Sequence, residues 1–387
     1  MLASVNAMAL IERAAAKVSL PKLESLQVGR GLAALAVLLF HSEIVALAVH
    51  PHAAVASLFD LGFTGVDFFF LLSGFLMVWV HRGDFDQPSR VMRYFGKRVT
   101  RIYPVYWVLC AVLIPVTLRL PALRQNQIAP SASSLIASLL LLPSQGPRLL
   151  GVTWTLEYEL LFYLAFSLFF FSSRAAVGLF GVWFVAIVGA AIWGPLPLVP
   201  TGAPQLHPWW IGFLLNLHIV EFFLGMVLAW MVQRGVRLRR PALLLGLGIG
   251  LVVAVNVVAF VRGSETLSLD QGHRVATIGA GLIAALIVFS AVQMEQGRPF
   301  AVPAALRLLG AASYSIYLTH FLVISFVRVV ALRSARIGAL PPALLLAFIV
   351  VVGLVPGLLL HLLVERPLLR VTSRWLRGRS IQPAAEI

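Results

Sequence analysis

Ten apolar runs of roughly 20 residues each dictate what this chain can fold into. They fall near residues 27–49, 61–81, 102–120, 152–171, 175–193, 211–233, 241–262, 274–294, 308–331 and 341–364. At about 1.5 Å of rise per residue, each run is long enough to cross a hydrocarbon core of about 30 Å as a helix. Only 12% of the 387 residues are charged and 60% are hydrophobic, with a mean hydropathy of +0.94. A soluble domain carries about 25% charged residues, and folding in water cannot hide this much apolar surface. The expected class is therefore all-α, a polytopic membrane protein of about ten transmembrane helices. The apolar stretch Leu135–Leu142 is too short to cross and reads as a re-entrant or interfacial piece within the loop 121–151.

The net charge of +15 could suggest a nucleic-acid partner, but the basic residues lie mainly between the apolar runs. There they orient a membrane protein, because Lys and Arg are retained on the cytoplasmic side. With the N-terminus inside, the inner segments hold Arg82, Arg90, Arg93, Lys97, Arg98 and Arg101, then Arg234, Arg237, Arg239 and Arg240, then Arg366 to Arg379. The outer segments hold fewer. Both termini are thus expected in the cytoplasm, and no nucleic acid is expected as partner. Residues 1–25 contain no signal-peptide pattern. They read as a short cytoplasmic segment with an amphipathic stretch over 5–20. The expected organisation is a cytoplasmic segment 1–21, a membrane domain 22–370 and a basic cytoplasmic tail 371–387. The one cysteine, Cys110, excludes an intrachain disulfide and any cysteine-based metal cluster.

Ionisable groups inside such runs cost free energy unless they face protein or water, so each is a functional candidate. Arg30 and His41 are eleven residues apart in the first run. That spacing is three helical turns plus about 20°, so both lie on one face, about 16 Å apart along the axis. A neutral imidazole can take a proton from an attacking hydroxyl, and a guanidinium can hold an oxyanion or a phosphate. Asp67, in Gly65-Val66-Asp67-Phe68-Phe69-Phe70, needs a partner, and Arg30 or His41 could serve. Arg98, Arg101 and Tyr103 end the loop 82–101 and lead into the third span, with Pro104 in its first turn. Their charge suits anionic lipid or phosphates. Trp154, Glu157, Glu159 and Tyr163 open the fourth span, and the two glutamates point about 200° apart. His218 and Glu221 share a face in the sixth span. With no third ligand apparent, a hydrogen-bonded pair is favoured there over a metal. Ser313, Tyr314 and His320 place polar groups on several faces of the ninth span.

Together these segments resemble the acyltransferase-3 family of membrane O-acyltransferases. The matching pieces run in order over residues 22–370: Arg30 with His41, Gly65 to Phe75, Arg101-Ile102-Tyr103-Pro104, Trp154-Thr155-Leu156 with Glu159 and Phe162-Tyr163, Ser313 to Leu318 with His320, and Glu365-Arg366-Pro367. The resemblance implies a ten-helix bundle in the bacterial inner membrane. Such a bundle moves acyl groups, acetyl by default, from cytosolic acyl-CoA to hydroxyls of surface polysaccharides, lipid-linked glycans or related glycosides, without a metal. It also implies that Arg30 and His41 are the reactive centre, with Asp67 positioning one of them. Arg98, Arg101 and Tyr103 would bind CoA. Trp154, Glu157, Glu159, Tyr163, Ser313, Tyr314 and His320 would meet the acceptor. The tract 154–163 is closer to the exopolysaccharide-modifying members. The contrasting expectation is a transporter or flippase whose buried charges relay protons, although no inverted repeat is visible.

Overall fold

The computed structural model describes residues 23–51, 58–120, 129–193, 208–262, 271–299 and 301–378. The amphipathic stretch expected over 5–20 lies outside the described residues. Among them every regular element is a helix, and ten helices are long and apolar enough to cross a membrane. Their cores are α1 (Glu24–Val49), α2 (Gly65–His81), α3 (Val91–Arg119), α4 (Trp154–Phe166), α5 (Ser173–Trp193), α6 (His218–Gln233), α7 (Pro241–Arg262), α8 (Gln271–Gly297), α9 (Ser313–Arg333) and α10 (Pro342–Leu360). In a bilayer interior every backbone group must bond within its own segment, which is why long apolar runs take this form.

The third element differs from the expected start at residue 102. It begins at Val91, so Pro104 and Pro115 are interior to the helix and Arg93, Lys97, Arg98 and Arg101 are helical. Basic residues with long unbranched side chains are good helix formers, and the segment extends the span rather than linking to it. Pro104 removes one backbone bond, a loss tolerated where neighbouring groups satisfy the freed backbone. Near that point the Tyr314 hydroxyl donates to the Ile102 carbonyl at 2.8 Å. Winding the basic segment into a helix turns Arg98 and Arg101, an i,i+3 pair, toward the protein.

The tightest packing joins α2 to α6. A Cβ placed on Gly74 would lie 2.0 Å from the Phe222 carbonyl oxygen, and one on Gly225 only 1.9 Å from that of Leu71. These two glycines let the backbones touch, as small residues do between membrane helices. The two helices run side by side to their ends, where the Gln233 amide donates to the Trp79 carbonyl at 3.1 Å. Around this pair, α1 packs against α2, α8, α9 and α10. Glu295, near the end of α8, accepts from the backbone N–H groups of Glu24 (2.7 Å) and Ser25 (2.9 Å) and so satisfies the start of α1. Glu43 accepts from the N–H groups of Leu58 and Phe59, both at 2.7 Å, away from the Arg30 side chain. By contrast α5 and α7 are peripheral. Exposed valines such as Val182 and Val261 give them a surface suited to lipid.

The short stretch near 135 forms the helix Ala132–Leu140, capped by Ser131, whose hydroxyl accepts from the Ser134 N–H at 3.1 Å. Its last turn is held by α3. Tyr103, Tyr106 and Trp107 donate to the carbonyls of Leu140 (2.9 Å), Ser138 (2.6 Å) and Leu139 (2.9 Å). It does not cross, in agreement with its length. Residues His361–Glu365 continue α10 as a π-helical turn into the helix Arg366–Gly378. Such turns insert an extra residue and re-aim side chains.

Candidate active site

Three arginines converge on one cavity. Arg30 comes from α1, Arg98 and Arg101 from α3, and each lines a space of about 130 Å³. The opposite walls are Ser73 of α2, Glu159 and Tyr163 of α4, and Ser313, Tyr314 and Tyr317 of α9. Phe69, Phe70 and Phe222 supply the apolar lining. Three guanidinium groups face one carboxylate here, so the space favours an anion. Glu159 is engaged already by the Tyr163 hydroxyl, which donates to it. The carboxylates whose charges reach Arg30 are Glu159 and Glu365.

Two polar atoms at this cavity are buried with no hydrogen-bond partner, Arg98 Nε and Ser313 Oγ. An unmet buried donor costs about 1–3 kcal/mol, so both are groups that a bound polar ligand would satisfy. Arg98 is nonetheless held firmly. Its guanidinium lies over the Tyr163 ring (5.1 Å) and the Tyr94 ring (5.6 Å), and its Nη2 donates to His81 Nε2 at 3.1 Å. Since His81 Nε2 accepts, its Nδ1 carries the hydrogen and donates to Asp84 at 2.9 Å. Arg90 closes this chain of contacts on the other oxygen of Asp84. Sequence reading grouped Arg98 with Arg101 and Tyr103 as residues for the phosphates of the donor but did not find His81 and Asp84, which aim it.

His41 does not line this cavity. It pairs instead with His320 of α9, Nδ1 to Nε2 at 3.3 Å. Backbone carbonyls decide how the pair is protonated. His320 Nδ1 lies 3.1 Å from the Ile316 oxygen and must donate to it, so its Nε2 accepts in the neutral ring. His41 Nδ1 lies 3.0 Å from the Val37 oxygen and shares its hydrogen between that carbonyl and His320. The lone pair of His41 is then on Nε2, which makes no hydrogen bond among the described residues. Tyr317 links the two places, because it lines the arginine cavity while its ring lies 5.6 Å from that of His320. Its hydroxyl is fixed by Thr155 at 3.0 Å and the Val152 carbonyl at 3.2 Å.

Four expected site residues are occupied elsewhere. Asp67 touches neither Arg30 nor His41. It is fully buried beside His218 and Glu221, with its Oδ1 at 3.4 Å from His218 Nδ1. The third ligand that the His218–Glu221 spacing lacked is thus supplied by a helix distant in sequence. Glu157 is held by Arg148 through two hydrogen bonds, at 2.6 and 2.9 Å. The two glutamates of α4 do separate to different surroundings, as their spacing requires. Trp154 packs against Phe70, Tyr158 and His218 rather than in the cavity. Tyr103 binds the helix Ala132–Leu140 and is absent from the cavity wall. Glu365, given by the sequence only as part of the Glu365-Arg366-Pro367 segment, accepts from Ser315 at 2.7 Å and pairs with His361 at 2.8 Å.

A match to the acyltransferase-3 family, described as an acyltransferase domain, covers residues 23–362. The chain belongs to the acyltransferase-3 family. It is similar to the exopolysaccharide production protein ExoZ of Rhizobium meliloti (strain 1021), at 30% identity over 83% of this chain and 92% of that one. It is also similar to the acyltransferase MdmB of Streptomyces mycarofaciens, at 31% identity over 92% of this chain and 93% of that one. No solved structure matches. This acyltransferase is a multi-pass membrane enzyme, and the transporter expectation gives way to that assignment.

Proposed function

We propose that this acyltransferase moves a short acyl group, acetyl by default, from cytosolic acyl-CoA to a hydroxyl of a sugar. The acceptor would be a bacterial surface polysaccharide, a lipid-linked glycan or a related glycoside. The observation that carries this reading is the arginine cavity joined through Tyr317 to a histidine whose Nε2 is free to accept a proton. The name of one relative concerns exopolysaccharide production and that of the other acyl transfer, which supports a glycosidic acceptor.

In this reading the basic end, with Arg93 and Lys97 exposed, faces the cytosol of a bacterial inner membrane. Arg98 and Arg101 take the phosphates of the donor at that end. Drug-sized pockets run to about 300–1,000 Å³, so the 130 Å³ cavity admits part of a CoA ester and not the whole. The extended arm passes Arg30 toward His41, a separation of about 16 Å along α1. His41 Nε2 removes the proton from the acceptor hydroxyl as its oxygen attacks the thioester carbonyl. The positive charge that appears on the ring is stabilised by the Val37 carbonyl and by His320 Nε2. The imidazolium then gives its proton to the departing CoA sulfur, and ester and free thiol result. Glu159 and the tyrosines of the cavity orient the reacting ends.

Comparative mass spectrometry of surface glycans from cells with and without the gene tests this. A mass loss of one acyl group per modified sugar is expected in its absence. Identical glycans and unchanged glycosylated metabolites in the two strains would refute it.

A further inference from the structure

Asp67, His218 and Glu221 form a cluster that the transfer chemistry leaves unused. Asp67 lies in the first turn of α2, His218 and Glu221 in the first turn of α6, and all three are buried. One ligand atom from each lies within 4.8 Å of the others. Both oxygens of Asp67, both of Glu221 and Nδ1 of His218 are buried without a hydrogen-bond partner. Their ion pairs run only among themselves within the described residues, at 3.4 Å for His218–Asp67 and 3.6 Å for His218–Glu221.

Those two spacings are too long for charge-assisted hydrogen bonds, which close to about 2.7–2.9 Å. They fit ligands gathered around a common ion. Bonds of about 2.0–2.1 Å to a tetrahedral metal put neighbouring ligand atoms about 3.3 Å apart. Charge points the same way. With both carboxylates ionised the cluster is negative even when the ring is protonated, and a buried negative charge requires compensation. The two helix N-termini offset part of it. A divalent cation would neutralise it.

We propose that Asp67, His218 and Glu221 bind one divalent transition metal ion, with zinc the match for one nitrogen and two carboxylate donors. The ion ties α2 to α6 at their starts, next to the close crossing at Gly74 and Gly225. Three protein ligands leave a fourth position for water. The rings of Phe70 (5.3 Å) and Trp154 (5.5 Å) hold the imidazole and separate the ion from bulk solvent. Phe70 also lines the arginine cavity, so the tie fixes one wall of the acyltransferase site without touching substrate.

The test uses the full chain, free of any histidine tag, in nanodiscs. Elemental analysis after chelator-treated gel filtration should find about one zinc-class ion per chain, the stoichiometry of a single three-ligand site. Asp67→Asn and His218→Gln should each reduce it at least tenfold. Stripping the wild-type chain with a strong chelator should lower its melting temperature, and Zn²⁺ should restore it. That wild-type cycle decides the matter even if a variant fails to fold. A wild-type chain that carries no metal and whose melting temperature ignores chelator, Zn²⁺, Mn²⁺ and Co²⁺ would overturn the proposal and leave the cluster a proton site. None of these readouts depends on acyl transfer.

Discussion

Carbonyls one turn earlier hold Nδ1 of both His41 and His320, but His320 Nε2 is taken by His41. Only His41 keeps an unengaged Nε2, so in the proposed reaction it serves as the base and His320 as its positioning partner. Replacing His41 with Ala should cut turnover about 100- to 10,000-fold, the usual worth of a general base, with the melting temperature preserved. His320→Gln should lower kcat more than KM, since it weakens the base and leaves the donor cavity intact. Steady-state kinetics on both variants check this. The buried Arg148–Glu157 pair belongs to stability instead. Removing one partner of such a pair costs about 3–5 kcal/mol. Glu157→Gln should therefore lower unfolding stability in denaturant while activity per folded molecule is retained. At this scale Arg30, His41 and Glu159 were readable in the sequence as costly polar groups in apolar runs, and Arg98 and Arg101 as the basic end of a loop suited to phosphates. Asp67 was readable as needing a partner, but not as the partner of His218 and Glu221. Helical spacing orders residues within one helix and carries no information about which helices meet.

Among the elements, α2 and α6 show how much depends on glycine. Each of Gly74 and Gly225 faces a backbone carbonyl at a distance no Cβ tolerates. Backbone atoms cannot swing aside as a side chain would. Gly225→Ala should separate the two helices and cost about 1–3 kcal/mol, the range for forced overpacking, read as a lower melting temperature in detergent. The ten spans were legible because hydropathy and length alone decide them. The start of α3 was not. Charged residues normally mark the end of a span, yet here Arg93 to Arg101 continue the helix, with Arg93 and Lys97 outward and Arg98 and Arg101 inward. The same extension explains why Pro104 sits mid-helix. Gly74 lay within the segment Gly65 to Phe75 that the sequence singled out, whereas its meeting with α6 at Gly225 became evident only from packing.

For the whole molecule, the proposed reaction requires the basic end in the cytosol and the ends of α1 and α9 on the far side. Orientation was argued from Lys and Arg counts. Single-cysteine variants in a Cys110→Ala background test it. Arg93→Cys should react with an impermeant maleimide only in inverted vesicles, and Arg336→Cys only in intact spheroplasts. The reverse pattern would place the arginine cavity on the wrong side for cytosolic acyl-CoA.

The central claim is that His41, as general base near the arginine cavity, drives transfer of an acyl group from CoA to a sugar hydroxyl. The most direct measurement follows free thiol and acylated sugar together, using purified protein, acetyl-CoA and a surface-glycan acceptor. Equal amounts of thiol and ester are expected from the wild-type enzyme, with both falling at least about 100-fold in folded His41→Ala protein. Full acyl transfer by that variant would contradict the account.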